Sequence, residues 1–84
     1  MDPTACLRRI LDATSRKDFA EACEDLAAWL DKGGFKPSLV GARYVPGIGT
    51  AWSLLSPAPG RFRGWTLVRW DYDGSPARTW KLEA

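Results

Sequence analysis

The sequence predicts an α+β fold: an N-terminal antiparallel helical hairpin packed on one face of a three- or four-stranded antiparallel β-meander. Three observations predict it. Apolar residues recur at helical spacing through residues 1–34. Aromatic and β-branched runs separated by Pro/Gly turns occupy residues 35–84. The α-α-β-β-β-β order holds no strand–helix–strand unit, which excludes a doubly wound nucleotide-binding sheet. Eighty-four residues supply one core, so residues 1–84 are read as a single domain, divided at Gly33-Gly34 into the helical hairpin and the meander.

Asp2 followed by Pro3 is an N-cap with proline at the first helical position, where its missing N–H costs nothing. Leu7, Ile10, Leu11 and Thr14 then share one arc. Ser15 with Asp18 three residues on opens a second helix. Its apolar stripe is Phe19, Ala22, Cys23, Leu26 and Leu30, with Trp29 on the flank. Asp18, Glu21, Glu24, Asp25 and Asp31 fall on the opposite arc, a solvated face or a dock for a basic partner. Gly33 supplies a left-handed C-cap. The short break at residues 14–16 turns the second helix back along the first.

Candidate strands are residues 39–45, 51–56, 64–72 and 77–83; the first of these also suits a short helix. Side-chain pairing chooses the register of the last hairpin. A four-residue loop over residues 73–76 sets Asp71 opposite Arg78, Arg69 opposite Trp80 and Leu67 opposite Leu82: a salt pair, a cation–π pair and an apolar pair. A turn centred on Asp73-Gly74 sets Arg69 against Arg78, a like-charge pair, and is rejected. The chosen register puts Trp65, Leu67, Trp80 and Leu82 on the helix-facing side. Trp70, Tyr72 and Lys81 share the other side, with Arg61 and Arg63 on the preceding loop. A sheet covered on one face leaves those aromatics in water. These five residues are the candidate binding site.

Composition excludes several classes. There is no histidine, so the commonest general base, pH switch and metal ligand are all missing. No Gly-rich phosphate loop and no nucleophile beside a base is present, so the chain is read as non-enzymatic, with no cofactor and no metal. No apolar run approaches a membrane span, and no charged-then-apolar start marks a signal peptide, so the expected compartment is the cytoplasm. The two cysteines, Cys6 and Cys23, lie without a CxxC and are expected as reduced, mostly buried thiols. Asp71-Tyr72-Asp73-Gly74-Ser75 has a trace of a calcium loop but lacks its later ligands; a hairpin loop started by Asp explains the same residues.

Charge is uneven. Residues 1–34 hold five basic and seven acidic groups, residues 35–84 seven basic and three acidic. Arg61-Phe62-Arg63-Gly64-Trp65 and Val68-Arg69-Trp70 interleave guanidinium groups with rings, as nucleic-acid binders do, but the net charge of +2 is a small electrostatic footprint. Val45-Pro46-Gly47-Ile48-Gly49 followed by Thr50-Ala51-Trp52-Ser53-Leu54-Leu55 resembles the hairpin of the helix-hairpin-helix family, over residues 38–56 at most. That resemblance implies two short helices and a DNA phosphate held by the backbone at Gly47 and Gly49. No Lys or Arg follows Gly49, Gly41 interrupts the first such helix, and Ser56-Pro57 ends the second early. A Pro-Gly turn between strands accounts for the same residues. The expected function is a small interaction module that binds a protein partner or its own copy through the Trp70/Tyr72/Lys81 face. The alternative is a nucleic-acid binder using that face with Arg61 and Arg63.

Overall fold

A computed structural model describes residues 2–38, 45, 47–55 and 65–82. Two helices, α1 (Pro3–Asp12) and α2 (Arg16–Asp31), precede three strands, β1 (Trp52–Leu55), β2 (Thr66–Trp70) and β3 (Pro76–Lys81). The strands form one antiparallel sheet in the order β1-β2-β3, and the helices pack against it: the fold is α+β. Both helices begin where capping chemistry places them. The Asp2 carboxylate accepts from Thr4 N–H at 3.0 Å, and the Ser15 hydroxyl accepts from Asp18 N–H at 3.1 Å. α2 ends in a Schellman arrangement: Gly33, at φ +81°, donates to Leu30 C=O, and Gly34 donates to Trp29 C=O.

One apolar cluster joins the layers. Leu7 and Ile10 of α1, and Phe19, Cys23 and Leu26 of α2, meet Trp52, Leu54, Leu67, Trp80 and Leu82 from the sheet. Leu26 and Leu67 are fully buried there, and each such leucine contributes about 2 kcal/mol of transfer free energy. Trp52 and Trp80 stack with centroids 5.6 Å apart, bridging β1 and β3 across the middle strand.

The β2–β3 register differs from the expected one. Arg69 stands opposite Arg78, and Leu67 opposite Trp80 rather than Leu82. The connection is a three-residue loop: Asp71 N–H donates to Ser75 C=O, and Gly74 N–H, at φ +82°, donates to Asp71 C=O. Ala77 is then the extra residue of a bulge, since Arg69 pairs with Arg78 but Trp70 with Pro76. The like-charge pair is tolerated because neither guanidinium is left facing the other. Arg69 lies over the Trp52 ring at 5.6 Å, and Arg78 lies over Trp80 at 4.6 Å and binds Asp31 of α2. The difference is a slip of two residues over Arg78–Lys81, so the side chains there and along β2 keep their faces, while the bulge takes up one further residue toward the loop.

The segment before β1 is a turn against a strand. Thr50 N–H donates to Gly47 C=O at 2.9 Å, and Val45 exchanges both backbone bonds with Leu54 at 2.8 and 2.9 Å. Trp52–Leu55 is therefore strand, which overturns the second helix implied by the helix-hairpin-helix resemblance: Leu54 presents its side chain to the core while its backbone N–H and C=O both pair with Val45. Of candidate strand 39–45, only Val45 lies within the described residues.

Candidate functional site

Alternation along β2 sends Leu67 and Arg69 toward the helices and Thr66, Val68 and Trp70 away. This second face is not bare. Ser53, Thr66 and Val68 are buried, so the expectation of a sheet covered on one side only is corrected. Trp70 is half-buried, and its indole N–H donates to Ser53 Oγ at 2.9 Å. Ser53 as the partner of that indole was invisible in the sequence, since its position depends on the β1–β2 register.

Two residues beyond, Tyr72 sits in the hairpin loop and is fully exposed. Trp70 and Tyr72 both line a cleft of about 360 Å³ between the hairpin end and the start of β1, together with Thr50, Ala51, Arg69 and Asp71. Lys81 is exposed but lies elsewhere. It pairs with Thr66 at the other end of β2, four residues from Trp70 along the strand, about 13 Å at the usual rise. Arg61 and Arg63 lie outside the described residues. The structure thus brings Trp70 and Tyr72 together and separates Lys81 from them.

The loop carrying Tyr72 is held by its own side chains. Asp73 accepts from both the N–H and the hydroxyl of Ser75, and Asp71 accepts from Tyr72 N–H. The Ser75 hydroxyl holds the Asp73 carboxyl below its ordinary pKa. These are hairpin-loop bonds, and among the described residues no group of three His, Cys, Asp or Glu is placed to hold a metal.

A second cleft, of about 300 Å³, lies between the α1–α2 connection and the Gly47–Thr50 turn, and Thr50 lines both clefts. Ile48 at the tip of that turn is 85% exposed. Its signal in the sequence is an apolar residue between the two glycines of a turn. Asp31 does more than complete a solvated acidic arc: it turns to the sheet, where it accepts from Arg78 and from the Trp80 indole. Of the remaining acids, Asp25 pairs with Arg9 at 3.0 Å and Glu21 with Lys17 at 4.0 Å.

Cys6 and Cys23 are free and buried. Burial pushes both thiols above their ordinary value, Cys23 the further. Among the described residues no helix is long and apolar enough to cross a membrane. Comparison with protein-family models, with curated proteins and with solved structures finds no match.

Proposed function

We propose that this chain is a non-enzymatic interaction module of the cytoplasm that binds a protein partner at the hairpin end of its sheet, through Trp70 and Tyr72. The observation that carries the reading is a fully exposed Tyr72 beside a half-buried Trp70 on one cleft. An aromatic held out into water on a loop braced by Asp71 and Asp73 loses little freedom on binding, which is the character of an interface anchor. The thiols support the rest: raised pKa values are the opposite of an activated nucleophile, and buried free cysteines suit a reducing compartment. The nucleic-acid alternative needs cations beside the rings. Within the described residues, Arg69 also lines that cleft but lies over the Trp52 ring, and Arg78 is already bound by Asp31.

Capture on immobilised protein tests the reading. Wild type and Tyr72→Ala are compared, with and without nuclease and across a salt series. Protein capture that is lost in the variant and insensitive to nuclease supports it. Nuclease-sensitive capture that falls steeply with salt transfers the function to nucleic acid.

A further inference from the structure

The two edges of the sheet are finished differently. On β1, Leu54 exchanges both bonds with Val45, and Trp52 N–H donates to Thr50 Oγ1 at 3.1 Å. That edge is closed. On β3, the direction of each backbone group follows from two bonds of the middle strand. Leu82 N–H donates to Trp65 C=O at 2.8 Å, so the odd positions of β2 turn to β3; Trp70 N–H donates to Ala51 C=O at 2.7 Å, so the even ones turn to β1. Arg78 and Trp80, opposite Arg69 and Leu67, therefore spend their backbone groups on β2. Thr79 and Lys81 point theirs outward. Both residues are exposed, and no described residue bonds to that edge.

We infer that the β3 edge pairs with the β3 edge of a second copy of this chain, antiparallel about a twofold axis at Thr79, to make one sheet continuous across both copies. A second copy fits the charges of this edge in one register. An axis at Arg78 sets that arginine against its own copy, and an axis at Lys81 does the same for lysine. An axis at Trp80 overlaps only three residues of each β3 strand (Pro76–Lys81), whereas an axis at Thr79 overlaps five, with the bulge residue Ala77 at the outer end. About Thr79, Arg78 faces Trp80 of the second copy, Lys81 faces Ala77, and no like charges meet. The Thr79 pair exchanges both of its bonds, which lowers the free energy of two backbone groups on each copy otherwise left to water. This interface uses neither Trp70 nor Tyr72 and stands or falls apart from the reading of that cleft.

Sedimentation equilibrium across a concentration series tests it, with two substitutions. Thr79→Pro deletes an N–H that points away from β2, where an edge strand tolerates proline. Thr79→Lys keeps the N–H and places two lysines face to face only in the dimer. Wild type should dimerise reversibly, and each variant should raise the dissociation constant at least about tenfold while its circular dichroism and melting temperature stay close to wild type. The Thr79 and Lys81 amides should become protected from hydrogen exchange as the protein associates. Monomer at every concentration up to millimolar overturns the inference. So does a dimer unaffected by Thr79→Lys, or one abolished by Tyr72→Ala while Thr79→Lys leaves it intact.

Discussion

Asp31, the last residue of α2, holds Arg78 of β3 in a bidentate pair with contacts of 2.8 and 3.0 Å, and the same carboxylate accepts the Trp80 indole N–H at 2.9 Å. A carboxylate at a helix C-terminus opposes the helix dipole, so this one is placed for the sheet rather than for its helix. It ties the two layers together at the β3 edge. It also draws Arg78 away from Arg69, across the β2–β3 ladder, and so permits a register that strand-pair counting alone disfavours.

Removing either partner should expose that dependence. Asp31→Asn and Arg78→Met each lower the melting temperature, and the double variant falls no further than the worse single one, because each loss already breaks the shared contact. Both groups are partly exposed, so the effect is modest and screened by salt. Additive losses in thermal melts would show that the pair does not act as a unit.

The same pair sets an acid dependence. Arg78 first, then the Trp80 indole, holds the Asp31 carboxyl below its ordinary value of 3.8. Its stabilisation is complete above that unfolded-chain value and is lost as the pH falls through the lower native value. Asp31→Asn should therefore be less stable than wild type at neutral pH, and the two should converge as the pH drops below about 4. Urea midpoints across the acid range measure this. Curves that stay parallel to the lowest pH would mean the carboxylate is unpaired in solution.

What was legible in the sequence follows how far apart the deciding groups lie. The helices were legible because Asp2, Ser15 and Gly33 sit within one turn of what they cap. The sheet faces were legible because alternation survives a slip of two residues. The register was not, since its decisive contact joins Arg78 to a residue 47 positions away. The candidate site divided along the same line. Trp70 and Tyr72 are near neighbours in the chain and share a cleft; grouping Lys81 with them required the other register and an open second face, and Ser53, Thr66 and Val68 are buried on that face.

Core truncations should report the shared layer interface. Leu26 of α2 and Leu67 of β2 are both fully buried in one cluster. Leu→Ala at either should cost about 2–5 kcal/mol in denaturant unfolding, the sum of lost transfer energy and the cavity left behind. A cost below about 1 kcal/mol at both would mean the helices do not pack on this face.

The thiols should be present but silent. Cys6 sits against the Ala22 carbonyl, 3.2 Å from its Sγ, and both thiols are buried. A thiolate-specific reagent should find two groups in denatured protein and react slowly with the native one, Cys23 being the slower because burial raises its pKa further. Rapid native labelling at either position would show that α1 does not stay closed on α2.

The turn before β1 gives the sharpest contrast between two glycines. Gly47 has φ +62°, and a Cβ there would lie 2.0 Å from the Trp52 carbonyl oxygen and 2.5 Å from Phe19 Cε1. Gly33 has φ +81° with nothing within 4 Å of the same position. Alanine at Gly33 therefore costs only the left-handed backbone, about 1–2 kcal/mol. Alanine at Gly47 adds a collision with backbone and with a buried ring, neither of which can turn aside, so its cost should exceed that at Gly33 by at least about 1 kcal/mol. Urea unfolding of the two variants measures the difference. Equal costs would mean that the turn is not seated between Phe19 and Trp52, and that the cleft lined by Ile48 and Thr50 has a different floor.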